Sequence, residues 1–296
     1  MAHAWESLIL GGVDQPRILE ITNNFCTNPY ANTGTTGYVK GTNGTMTTES
    51  SSEAIGEYVI KLVFAGGGDA YIDWTHNFGS SITNKKFLGI VRIKSKFDCK
   101  IQLIGSSLIS EYAITASDYV RTFSVIAEAI GQTGNNITLR IIGTADVNLT
   151  FDNIYLAQIN NDITFPQPNE SFMVFEKDVL GEQRMWNGKI QQFNFKYIPN
   201  FYCDWQVLGA GYEYQRQQIS LNKILFCMPH KDVNWGFIGI FSEDFERKYS
   251  FDKFFGHNSS LAIKGIEYIY ELPSIQPSSS GGGSIYIEDE DIIYES

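Results

Sequence analysis

Ala70-Tyr71-Ile72-Asp73-Trp74-Thr75-His76-Asn77-Phe78 is the run from which the fold is read. Successive side chains of a strand point to opposite faces. Tyr71, Asp73 and Thr75 therefore share one face, and Ile72, Trp74 and His76 the other. If Ile72 faces a core, Trp74 does too, and Tyr71 with Asp73 is the solvent-side pair. The same period of two extends outward from Arg17 to Ile159. It predicts strands at Arg17–Thr22, Tyr58–Phe64, Ala70–Trp74, Phe87–Lys94, Lys100–Ile104, Tyr119–Val125, Ile137–Ile142 and Thr150–Leu156. Turn formers separate them, among them Asn43-Gly44, Gly66-Gly67-Gly68-Asp69, Gly79-Ser80-Ser81 and Gly134-Asn135-Asn136. Only Ile126–Ile130 has helical character, and it is short. Eight short strands predict an all-β jelly-roll β-sandwich over residues 20–160, with residues 1–19 as a lead-in.

Asn160-Asn161-Asp162 leads into Phe165-Pro166-Gln167-Pro168-Asn169, so residues 161–170 are expected to form a stiff linker. Residues 171–272 then form a second domain. The region 165–271 holds 23 of the chain's aromatic side chains. Strands are expected there at Phe172–Phe175, Lys189–Tyr197, Gln218–Phe226, Gly236–Phe241 and Leu261–Tyr270, giving a second, aromatic-rich antiparallel β domain. Residues 273–284 are a Pro/Ser/Gly linker, and residues 285–296 an acidic, apolar-flanked tail.

The 296 residues carry a net charge of −11 with a pI near 4.8. Residues 1–164 contribute −4, residues 165–271 contribute −2, and the last 25 residues contribute −5. Without a basic arm, the chain is not expected to bind nucleic acid, which needs clustered cations. No apolar run is long enough to span a bilayer, so no membrane insertion is expected. Met1–Gln15 lacks the charged start of a signal peptide. Cys26, Cys99, Cys203 and Cys227 stand too far apart for redox or zinc spacings and are expected to be reduced, buried thiols.

Catalytic signatures are missing. There is no G-x-S-x-G elbow, P-loop or dinucleotide turn, and His3, His76, His230 and His257 fall in unrelated segments. The chain is therefore expected not to be an enzyme. In Phe87–Lys96, Arg92, Lys94 and Lys96 alternate with Val91, Ile93 and Ser95 and share one strand face. An anion or phosphoglycan could dock there, although a solvated, aggregation-resistant face is the simpler reading.

Asn28-Pro29-Tyr30-Ala31-Asn32-Thr33-Gly34-Thr35-Thr36-Gly37-Tyr38 resembles the Asn-Pro-x-Phe-Glu…Thr-Thr-Gly-Trp opening of galactose-binding-like carbohydrate-binding modules found in bacteriophage tail proteins and bacterial glycan-active enzymes. Gly56-x-Tyr58-x-Ile60-Lys61-Leu62, Tyr119-Val120-Arg121-Thr122-Phe123 and Thr150-Phe151-Asp152-Asn153-Ile154-Tyr155-Leu156 are similar to later landmarks, in the same order. The resemblance covers roughly residues 20–158. It departs at Ala31, Asn32 and Tyr38, which stand for the usual Phe, Glu and Trp.

The resemblance implies a jelly roll and a sugar ligand. Sugars need aromatic faces and fixed polar groups, and the expected site comprises Tyr71, Asp73 and Arg121, with Tyr38 as a further aromatic. In calcium-binding relatives an acid near the opener and the closing-strand aspartate help form an oxygen cage. The positions matching these are Asn32 and Asp152. A neutral amide in place of a carboxylate lowers calcium affinity, and no other cofactor is expected.

The resemblance further implies a bacteriophage virion structural protein, a component of the tail tip, fibre, baseplate or collar. Its partners would be other virion proteins, further copies of itself and a cell-surface glycan, and it would be assembled in the host cytoplasm. The alternative is a stand-alone or accessory carbohydrate-binding protein of a bacterial polysaccharide-processing system. In the tail, Ile285-Tyr286-Ile287 and Ile292-Ile293-Tyr294 flank four acids, and apolar strand formers are costly to leave exposed. These six residues are expected to anchor the tail on a partner's sheet edge or in a basic pocket.

Overall fold

A computed structural model of the chain describes residues 5–9, 15–42, 44–51, 58–64, 71–143, 148–184, 190–219, 223–229, 236–241, 257–266 and 286–287. They form an antiparallel, nearly all-β protein with two compact units, residues 21–161 and residues 1–20 with 162–296. In chain order, β1 (Trp5–Ile9) and β2 (Arg17–Ile21) come first. Then follow β3 (Tyr38–Lys40), β4 (Gly44–Ser50), β5 (Tyr58–Phe64), β6 (Tyr71–Asn77), β7 (Lys86–Ser95) and β8 (Cys99–Ile104). After them come β9 (Leu108–Ile114), β10 (Ser117–Glu128), β11 (Asn136–Gly143) and β12 (Asn148–Thr164). The remainder holds β13 (Glu170–Arg184), β14 (Ile190–Leu208), α1 (Ala210–Ile219), β15 (Ile224–Met228), β16 (Phe237–Phe241), β17 (His257–Gly265) and β18 (Tyr286–Ile287).

The 21–161 unit is a sandwich of two five-stranded sheets, ordered β4-β5-β12-β7-β10 and β3-β6-β11-β8-β9. If β5 to β12 are numbered one to eight, the paired strands read 1-8-3-6 and 2-7-4-5. That is the interleaving of two Greek keys in a jelly roll. Alternation supplies the core, because one face of each strand is apolar. Ile60, Phe87, Val91 and Phe151 from one sheet meet Ile72, Trp74, Leu103 and Leu139 from the other. Phe25 stacks on His76 at 4.3 Å, and burial lowers the His76 pKa from its usual value.

The other unit is built on one sheet, β2-β15-β16-β17-β14-β13-β1-β18. Its core gathers Phe165, Phe201, Trp205, Phe237, Leu261 and Ile263. Among the described residues, the aromatics Phe165, Phe201, Trp205 and Phe237 are thus core packing, whereas Tyr212 and Tyr214 are exposed. Arg17 grips both oxygens of Asp162, at 2.9 and 2.8 Å.

Several expectations change here. Residues 1–19 carry β1 and β2 and belong with the second unit. Within 161–170, read as a linker, Asn161–Thr164 lie in β12 and Phe165 is fully buried. The Phe165 N–H donates to the Pro16 carbonyl at 2.9 Å, so the segment is packed chain. Gln218 and Ile219 end α1, and the strand expected from Gln218 begins only at Ile224. The helix is polar and largely exposed, with Glu213 holding Arg216 at 2.6 and 2.9 Å, so it shows no apolar stripe. Ile126–Glu128, from the short stretch with helical character, continue β10, in keeping with the all-β reading. The Gly66–Gly68 turn, residues 273–285 and residues 288–296 lie outside the described residues.

All four cysteines are buried and unpaired to one another. Burial pushes the Cys26 and Cys99 thiols up to about 11, and Cys203 and Cys227 well above their usual range. Thiol-specific reagents are expected to label none of them before unfolding, at pH 8. An unfolded thiol ionises near 9.0 and these do not. Between that value and about 11, stability therefore falls as pH rises, by about 1.4 kcal/mol per pH unit per thiol. A flat urea midpoint across this window would contradict the assignment.

Candidate functional site

The outward face of β3-β6-β11-β8-β9 carries the side chains left over once the core is filled. The register aligns Val39, Asp73, Arg140, Gln102 and Glu111 in one row across all five strands. Arg140 Nε donates to one Asp73 oxygen at 2.7 Å, and its Nη2 to the other at 2.8 Å. The guanidinium carbon also lies 3.9 Å from the centre of the Tyr71 ring. An aromatic ring, a guanidinium and a carboxylate are thus locked together on a rigid sheet. Charge-assisted bonds of this two-pronged kind fix geometry as well as adding energy.

The row continues on both sides. Gln102 Nε2 and Lys100 Nζ donate to the two Glu111 oxygens at 3.0 and 2.8 Å, and these bonds draw the Glu111 pKa down. The Thr75 and Thr138 hydroxyls lie 2.8 Å apart. Such a surface offers fixed hydroxyl-binding groups next to an aromatic ring, which is the chemistry a pyranose requires.

The structure brings Tyr71 and Asp73 together as expected but replaces Arg121 by Arg140. Arg121 lies on β10, in the other sheet, where its Nη2 donates to the Thr115 carbonyl at 2.5 Å and its guanidinium sits over Phe123. Arg140 shares its strand face with Thr138 and Ile142. Only the β6–β11 pairing reveals its role, and that pairing spans 67 residues of sequence.

Tyr38 corrects another expectation. It is 7 % exposed, packs edge-on against Trp74 at 4.9 Å, and donates its hydroxyl to the Asn28 carbonyl at 2.8 Å. It is a core residue because β3 turns Val39, not Tyr38, outward.

The opening loop is held by Asn28. Its Nδ2 donates to the carbonyls of Gly34 at 2.9 Å and Thr36 at 3.2 Å, and its oxygen accepts from the Thr33 N–H. Asn32 is exposed. Asp152 falls at a β-bulge, with Phe151 opposite Ile93 and Asn153 opposite Arg92, and its side chain lies outside the described residues. A cation here would find loop carbonyls already engaged by an amide and no carboxylate between Thr22 and Thr42. Among the described residues no group of three or more metal-binding side chains occurs.

Of the tail, only Tyr286 and Ile287 are described. They pair with Ile9 and Leu8 of β1. Ile285, Ile292, Ile293 and Tyr294 lie outside the described residues.

No family model matches the sequence, and no curated protein matches it. Solved structures do. The enzymatically active domain of bacteriophage CBA120 tailspike protein 4 aligns at 10% identity and a TM-score of 0.37, over 46% of this chain and 21% of that one. A family 16 carbohydrate-binding module aligns at 15% identity and a TM-score of 0.35, over 45% of this chain and 99% of the module. The CBM22-1 xylan-binding domain from Paenibacillus barcinonensis aligns at 10% identity and a TM-score of 0.36, over 45% and 93%. The present chain therefore spans about a fifth of the tailspike domain's length.

Proposed function

We propose that the chain is a non-enzymatic glycan-binding protein whose 21–161 unit holds a neutral sugar on Tyr71, with Asp73 and Arg140 reading its hydroxyls. The observation that carries this reading is the Tyr71–Arg140–Asp73 assembly on an outward sheet face. The two-pronged bonds fix the Asp73 and Arg140 groups beside the Tyr71 ring. Arg140→Lys keeps the charge but loses the planar fork. In calorimetric titrations of the full chain with neutral oligosaccharides, this change is expected to weaken binding about tenfold. Unchanged affinity would overturn the reading.

We further propose that the protein works in a bacteriophage particle, in its tail, where glycan binding serves adhesion or assembly. The likeness of Asn28–Tyr38 to modules of tail proteins supports this setting. Rings or fibres of the purified chain in negative stain are the expected result. A monodisperse monomer would favour the stand-alone carbohydrate-binding alternative.

A further inference from the structure

The Tyr71 ring has neighbours further along its own face. Ile142 pairs with Tyr71 on one side and with Lys100 on the other. Two parallel rows therefore cross the sheet from β6 to β8, Asp73–Arg140–Gln102 and Tyr71–Ile142–Lys100. They lie about 7 Å apart along the strands, and each spans about 10 Å across two strand gaps. Glu111 of β9 extends the first row by a further strand. Half-buried Ile142 gives this strip an apolar floor between the Tyr71 ring and Lys100.

Glu111 sets the chemistry at the far end of the strip. Its two oxygens accept from Lys100 Nζ at 2.8 Å and from Gln102 Nε2 at 3.0 Å. An ionised carboxylate only accepts, so the Gln102 amide has to turn its NH2 group towards Glu111. The carbonyl oxygen, Oε1, is left as an acceptor without a partner among the described residues. The Lys100 ammonium uses one of its three donors on Glu111. A fixed acceptor and a charged donor beside an apolar side chain are what a further sugar ring needs. The charges along the strip meet in pairs, Asp73 with Arg140 and Glu111 with Lys100, which suits a neutral ligand.

We infer that Lys100, Gln102 and Ile142 form a second sugar subsite, with Glu111 as its positioning residue. The ligand is then an extended neutral oligosaccharide laid across the strands, not a single terminal sugar. This subsite rests on the Tyr71 reading, and chain length tests it separately. Cello- and galacto-oligosaccharides, each from the monosaccharide to the pentasaccharide, are titrated into the full chain by calorimetry. In a series that binds, affinity is expected to rise about tenfold from the monosaccharide to the trisaccharide. Gln102→Ala and Glu111→Gln are each expected to weaken the trisaccharide about fivefold and to leave the monosaccharide unchanged. General damage to the fold would instead weaken every length alike, as Tyr71→Ala is expected to do. Binding that depends on Tyr71 but is equally tight at every length would overturn the second subsite and leave the Tyr71 reading standing. So would a Gln102→Ala variant that weakens all lengths alike or none. Should a variant fail to fold, the length dependence of the wild type decides the matter. No binding in either series would overturn both readings.

Discussion

Gly37→Ala is expected to cost the 21–161 unit about 2–5 kcal/mol. Gly37 has φ of +87°, a backbone conformation that costs an L side chain about 1–2 kcal/mol. A Cβ at this position would also lie 2.2 Å from the Trp74 ring, where overpacking adds about 1–3 kcal/mol. The ring has nowhere to retreat, since Tyr38 packs against it edge-on and is itself pinned to the Asn28 carbonyl. The damage is expected to reach the proposed binding face, because Trp74 follows Asp73 on β6 and shares its backbone. A urea midpoint and the near-ultraviolet tryptophan signal report it. A loss below about 0.5 kcal/mol, the range of ordinary surface changes, would contradict the packing described for this loop.

Trp205→Ala is expected to be equally damaging to the other unit. Trp205 is 1 % exposed, lies 5.4 Å from the Phe165 ring, and donates its indole N–H to the Pro166 carbonyl at 2.9 Å. Emptying such a site costs about 3–5 kcal/mol. Trp205→Phe separates the two contributions by keeping most of the apolar volume and removing the donor. Its expected cost is about 1–3 kcal/mol, that of a buried carbonyl left unpaired. If both variants matched the wild type in urea unfolding, residues 165–170 would be a loose connector after all and not part of the core.

The legible and illegible parts of the chain divide along physical lines. Period-two alternation located β5, β6, β8 and β11 through one buried apolar face, whereas β7 and β12, buried on both faces over much of their length, were found as apolar runs between turn formers. It passed over β4, where Met46 is the one apolar side chain of Gly44–Ser50 to pack on the core and the strand is held by pairing with β5. It also passed over β9, which pairs only with β8 at the sheet's edge, and over α1, whose exposed faces give no helical period. The site was half legible for a related reason. Strand phase assigns Tyr71 and Asp73 to one face, which is a local property. Choosing Arg140 over Arg121 requires knowing that β11, not β10, lies beside β6, and strand order is set by the whole sandwich. Tyr38 shows the sensitivity of phase, since a one-residue shift exchanges a surface aromatic for a core one.

The central claim is that Tyr71, Asp73 and Arg140 form a sugar-binding face. The most direct measurement is a titration of the full chain, wild type and Tyr71→Ala, against a panel of neutral oligosaccharides. Stacking on an aromatic ring contributes about 0.5–1.5 kcal/mol beyond area burial. The wild type is expected to bind at least one member saturably, and Tyr71→Ala to bind it about tenfold more weakly or not at all. Saturable binding that is indifferent to Tyr71→Ala, or no binding by the wild type to any member of the panel, would contradict the account.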